Sequence, residues 1–331
     1  MAPNGELEVA ERLVHGQIVG PESVAIDKEG RIYAGTTDGK IVRMRPALHG
    51  EAPQPGESVE VFTETNGRPL GMRFAPNGDL IVADVMKGLL RVDSTGAIEV
   101  LMRTAEGTPM LFLNDVVVAS TGVIYMTDSS TWGYGGQVND ILEAIPAGRV
   151  IRYDPATKTA VVIARGLAFA NGLALAADES YLLVAETARY RIARVWLQGD
   201  KRHLVETFVD NLPGFPDNIS LSPRGTWWVA MFSVRKPLLD LVHPFPMLKD
   251  ILSGLPEALR PRHRSYGLVF EMDGTGRALR SFHDATGKRF RDVSSALESD
   301  GHLYIGTLTG TAIGRISLAP LPPESLPSPL P

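Results

Sequence analysis

Four residues in this 331-residue chain combine an oxygen-bearing side chain with one local setting: Glu22, Asn114, Asn171 and Asp217. Each heads an apolar run and stands eight residues before a turn position, at Gly30, Gly122, Glu179 and Gly225 respectively. Asn and Asp often begin strands as turn-formers, so any one of the four is unremarked alone. The shared offset is what points to a site. Two carboxylates and two amides offer only hard oxygen donors, and no Lys, Arg or His stands at an equivalent position to balance the charge. A carboxylate removed from water is costly unless something pairs with it. Ca²⁺ meets that need, since it takes carboxylate and amide oxygens in a loose geometry. Zn²⁺ prefers nitrogen and sulfur donors, and the chain has no cysteine.

The elements that would position these residues come from a repeat. "ESVAIDKEGRIYAGT", "LGMRFAPNGDLIVAD", "NDVVVASTGVIYMTD", "NGLALAADESYLLVAET", "DNISLSPRGTWWVAM" and "VSSALESDGHLYIGT" each read as strand, polar turn, strand. The six copies recur about every 45 to 75 residues, the period of propeller blades carrying insertions. Runs such as "KIVRMRP" and "RIARVWL" supply third strands, and "VEVFTET" and "ALRSFHD" outer fourth strands. The last repeat lacks a fourth strand, which "LEVAERLV" from Leu7 can provide. The expectation is an all-β fold, a six-bladed β-propeller spanning residues 1–331 as one domain, with the four oxygen-bearing positions around one end of the central channel. Aligned on the turns, Leu70 and Val293 complete the ring, and with Phe215 and Phe232 they predict a fairly apolar pocket.

Composition narrows the classes. A net charge of −5 gives no general attraction to nucleic acid or anionic lipid. No apolar segment approaches the roughly 18 residues of a membrane span, and "MAPNGELEVA" lacks a signal-peptide layout. A cytoplasmic location is the expectation.

The segments "FLNDVVVASTGVIYMTDSS", "FANGLALAADESYLLVAETARYRIARVWLQG", "LPGFPDNISLSPRGTWWVA" and "SDGHLYIGTL" resemble the calcium-dependent six-bladed propellers of the gluconolactonase, paraoxonase and strictosidine-synthase-like superfamily. The resemblance is closest to the strictosidine-synthase-like branch, which includes the adipocyte plasma-membrane-associated proteins. It implies calcium ligands at Glu22, Asn114, Asn171 and Asp217, with Asn218 as a fifth. It also implies that the calcium polarises a substrate carbonyl, and that either a ligand carboxylate or an activated water attacks. Asp217 and Asn114 are the residues expected to carry the chemistry. Three departures matter. Leu70 stands where paraoxonases have histidine, against a histidine-dyad mechanism. Ser294 aligns with a glutamate of the strictosidine synthases, against amine–aldehyde condensation, and Ser23 replaces an acid that serves a second calcium in paraoxonases.

Other segments carry weaker signals. Residues 234–264 break the repeat with leucines at helical spacing, which reads as a lid, a dimer or membrane contact, or an ornamental hairpin. The loop Ser129 to Ile141 places Trp132 and Tyr134 among glycines, as a pocket wall or a sheet cap. His283 is the histidine to test as a base; Asp115 reads as orienting its neighbour or pairing locally, and Asp128 and Glu186 as turn acids. The expected function is a calcium-dependent hydrolase of lactones or small aryl esters. The alternative is a non-catalytic binding or scaffold propeller with structural calcium.

Overall fold

The computed structural model describes residues 2–45, 59–242, 245–255 and 265–320. Its β-branched and aromatic runs pair into six four-stranded antiparallel sheets. The innermost strands are Val24–Ile26, Pro69–Phe74, Leu113–Val118, Ala170–Leu175, Gly214–Leu221 and Val293–Ser299. Each packs against the inner strand of the next sheet, and the last packs against the first, so the blades close into a six-bladed propeller. The third and fourth strands lie where the sequence places them, for example Arg191–Trp196 and Ala278–Asp284. Apolar side chains fill the seams between blades. Trp228, Val269, Phe282, Phe290 and Val293 form one such buried cluster.

Ring closure differs in detail from the sequence expectation. Glu6–Val9 forms a 3-10 turn, and only Glu11–Leu13 pairs as the outer strand of the last blade, against Ile313, Gly314 and Arg315. Leu7 is nonetheless buried in the seam beside Phe290.

A repeated irregularity shapes the channel. In blades two to five the register of the inner strand jumps by one residue, between Pro69 and Met72, Leu113 and Val116, Ala170 and Leu173, and Pro216 and Ile219. Each jump is a β-bulge, which bends a strand and re-aims its side chains. Asn114, Asn171 and Asp217 all sit in these bulges, together with Leu70. The inner strands also approach closely: a Cβ on Gly71 would stand 2.1 Å from Asp115 Oδ1, and one on Gly172 2.3 Å from Asn218 Cα. Hydrogen alone fits there.

The same register corrects one assignment. In blade six the bulge falls between Val293 and Ser295, so Ser294 holds the ring position and Val293 turns into the seam. The cause is a shorter hairpin. Ser299 pairs with His302 across a two-residue turn, Asp300 and Gly301, both at positive φ. Blade three uses the longer loop between Ala119 and Val123. Counting back from the glycine therefore misses by one residue.

Strands two and three of a blade are joined at the ring end, and that is where the insertions stand. Helix α1, Gln137–Glu143, leaves blade three; α2, Pro237–Val242, and α3, Pro246–Gly254, leave blade five. Helix α3 packs on α1, bridging two blades over the ring face. Residues 243–244 and 256–264 of the insertion lie outside the described residues.

Candidate functional site

All five sequence-predicted ligands are buried at the ring end of the channel. Asn218 Nδ2 donates to Glu22 Oε1 at 3.4 Å, a contact that skips blade six and so crosses the channel. Ser294, in the blade between, spends its hydroxyl on the Glu22 backbone carbonyl at 2.6 Å.

Two relays fix the amides. Asn114 Nδ2 donates to Ser129 Oγ at 3.0 Å, and that hydroxyl donates to the Ala170 carbonyl at 2.6 Å. Asn171 Nδ2 donates to Thr187 Oγ1 at 3.1 Å, which donates to the Pro216 carbonyl at 2.7 Å. Each relay ends on the residue just before the next ring position. With its nitrogen committed, each amide leaves its oxygen as the free end. Asp217 has no nitrogen to anchor, and blade five carries Phe232 in place of the hydroxyl residue. Ser129 and Thr187 are absent from the sequence-based candidates. Their signal was an acid–hydroxyl pair, Asp128-Ser129 and Glu186-Thr187, at the end of the second strand in the two Asn-bearing repeats.

The free ends are unsatisfied. Glu22 Oε2, Asn114 Oδ1, Asn171 Oδ1 and Asn218 Oδ1 are buried with no hydrogen-bond partner. Buried polar atoms rarely stay so in a folded protein, and here four come from one ring. The carboxylates show the same strain. Burial pushes the Glu22 carboxyl up to about 7; the charges of Arg68 and Arg73 oppose that shift, and Asp115 adds to it. Burial, then the charges of Glu22 and Asp115, raise Asp217 well above the usual carboxylate range. The two arginines are a feature that sequence reasoning did not place near the ring. They do not suffice to balance it. Hard, orphaned oxygens with excess negative charge fit a cation of the calcium type.

The remaining candidates sort differently. Asp115 accepts from the amides of Val116 and Leu173, at 2.9 and 3.1 Å, and ties blade three to blade four. Asp128 takes the Phe112 amide and the Arg149 guanidinium, and Glu186 the Ala168 amide and Arg191, so both acids brace the approach to a ring residue. His283 lies on an outer strand with Nδ1 2.9 Å from the Tyr266 hydroxyl and Nε2 2.9 Å from Ser281 Oγ. That position takes it away from the channel and corrects its reading as a base.

The wall beside the ring is apolar in part. Leu70, Phe112, Phe169 and Ala188 cluster there under Ile141 and Ala144 of the α1 segment. Tyr134 stands 6.3 Å from Phe112, ring centre to ring centre, with its own ring half exposed. Phe215 instead packs on Tyr190 at 4.8 Å, in the cluster between blades four and five, so it and Val293 are removed from the predicted lining.

Comparison with known proteins agrees with this architecture. Residues 114–200 match the strictosidine synthase family model, and residues 1–44 the model of the strictosidine synthase-like N-terminal region. An adipocyte plasma membrane-associated protein of Salmo salar is 40% identical over 335 residues, covering 96% of this chain and 80% of that protein. The chain belongs to the strictosidine synthase-like family. A gluconolactonase of Xanthomonas campestris shares the fold of this family member, with a TM-score of 0.67 at 17% identity, covering 96% of this chain and 92% of that one. So does the calcium-binding protein regucalcin of Agrobacterium tumefaciens, with a TM-score of 0.61 at 11% identity and 94% of both chains covered. At such identities the likeness speaks to the propeller itself. Among the described residues, no helix of this strictosidine synthase-like chain is long and apolar enough to cross a membrane.

Proposed function

We propose that this propeller is a calcium-dependent hydrolase of lactones or small aryl esters. The observation that carries the reading is the set of orphaned oxygens on Glu22, Asn114, Asn171 and Asn218, gathered with the Asp217 carboxylate at one end of the channel. These five residues would hold the ion. Calcium bound there supplies Lewis acidity toward a carbonyl oxygen and its developing negative charge. Asp217 either attacks the carbonyl carbon or takes a proton from the attacking water. Asn114, held by Ser129, keeps its oxygen directed at the ring while the reaction proceeds. Leu70, Phe112 and Phe169 offer the acyl or aryl portion an apolar wall and exclude water from it. That lining favours aliphatic lactones and aryl esters over sugar lactones, which need more hydrogen-bonding groups.

The test pairs activity with stability. A lactone and aryl-ester panel, assayed with and without chelator, should show turnover that chelation abolishes and Ca²⁺ restores. At calcium a hundredfold above its dissociation constant, mass action adds about 2.7 kcal/mol, which raises the thermal midpoint of a chain this long by roughly 4 °C. A midpoint that follows calcium with no turnover on the panel would favour the scaffold reading. An unchanged midpoint in metal-free protein would remove the metal from both.

A further inference from the structure

A second concave site lies outside the ring. Three segments enclose about 190 Å³ at the edge of blade six: the closing strand and its turn, the Gly287–Arg291 loop, and the Thr307–Ala312 connection. Arg12, His15, Lys288, Arg289 and Arg291 line it, and among the described residues no acidic one does. Four permanent positive charges share one small cavity in a chain whose net charge is −5. This concentration is local, and long-range attraction does not explain it. Asp292, beside the cavity, accepts from Thr309 Oγ1 and lies 4.0 Å from Arg291 Nε.

The walls are held rigidly. Asp284 accepts the amides of Gly287, Arg289 and Phe290 at 2.8 to 3.0 Å, which fixes the loop that presents Lys288 and Arg291. Arg289 Nε donates to the Ala10 carbonyl at 2.8 Å, leaving its terminal nitrogens for other partners. The Gly16 amide donates to the Thr311 carbonyl at 2.8 Å, joining the second wall to the third. Arg12 Nη1 lies 2.9 Å from His15 Nε2, and since a guanidinium only donates, the imidazole nitrogen accepts.

We propose that this cavity is a binding site for a phosphate or phosphomonoester dianion. Guanidinium forks and an ammonium lining one cavity from separate segments suit a tetrahedral group with several acceptor oxygens, where a planar carboxylate would meet only two of them. The volume is large enough for a phosphoryl group. Free phosphate, a soluble phosphomonoester and a lipid headgroup share that chemistry.

The experiment is calorimetric titration of the full chain with inorganic phosphate and with glycerol 3-phosphate, in chelator and, in a parallel series, in calcium. It is paired with flotation on phosphatidylcholine vesicles with and without phosphatidic acid. Saturable binding that weakens about tenfold or more in the Arg12→Ala/Lys288→Ala double variant supports the site. Both side chains are exposed, so an unaltered thermal midpoint checks that the variant folds. Binding of the soluble probes alone assigns a soluble ligand, and binding confined to phosphatidic acid vesicles assigns a headgroup. Equal affinity in the double variant, or no binding of any probe, overturns the proposal. Binding that appears only when calcium replaces the chelator places the phosphate at the ring and overturns it too. Failure of the hydrolase reading leaves this titration unaffected.

Discussion

Removing one charge at Asp217 separates its two assigned tasks. Asp217→Asn keeps the shape and an oxygen donor but lacks the nucleophile or base, so kcat should fall by about 10² or more at saturating calcium. Metal analysis must confirm full occupancy, and near-wild-type turnover in a loaded variant would reduce Asp217 to a ligand. The relays make a different prediction. Ser129→Ala strands the Asn114 amide nitrogen and the Ala170 carbonyl together, freeing the amide to rotate. Outer partners of this kind are worth about 10- to 100-fold in metal affinity. Calcium affinity, read by competition with a chelating dye, should therefore drop by that range in Ser129→Ala and recover in Ser129→Thr. No change in either would mean that the hydroxyl braces only the backbone.

At the scale of elements, the bulges do the aiming and the insertions form the roof. Met247 is 79% and Ile251 60% exposed on α3, while Leu252 packs inward against the cluster around Tyr190 and Phe215. If the insertion is a lid, replacing residues 236–264 with a short Gly-Ser turn should leave the propeller folded and shift preference across an acyl-chain panel. An unshifted preference would leave α2 and α3 as surface packing. Much of this scale was legible beforehand. Asn114, Asn171 and Asp217 share an offset because their blades share a bulge, so counting residues located them. Val293 misled because blade six has a tighter hairpin, which a glycine count cannot register. The Asn218–Glu22 contact and the packing of α1 on α3 join residues far apart in the chain, where local periodicity is silent. The acid–hydroxyl pairs were visible, but their purpose depends on a carbonyl in the next blade.

For the whole molecule, the closing strand is the joint that tests the ring. Deleting residues 1–13 removes Leu7 and Leu13, both buried, at about 2–5 kcal/mol each. It also uncovers the edge of Ile313–Ser317, inviting pairing between copies. The thermal midpoint should fall by roughly 6–14 °C, with aggregates seen by light scattering. A monomeric product of unchanged midpoint would show that the last blade stands on three strands.

That joint also sets an order of events. Arg315 Nε meets Glu11 Oε2 at 2.7 Å across 304 positions of sequence. During synthesis the strand Glu11–Leu13 must wait, unpaired, until its partner around Ile313–Arg315 has left the ribosome. Blades two to five can assemble as they appear, but the circle cannot lock before Ile313–Ser317 is free to pair. Contacts this distant slow folding and lengthen the exposure of open edges. Ring completion should therefore be slow, and a nascent chain stalled before residue 313 carries the strand Glu11–Leu13 with no partner.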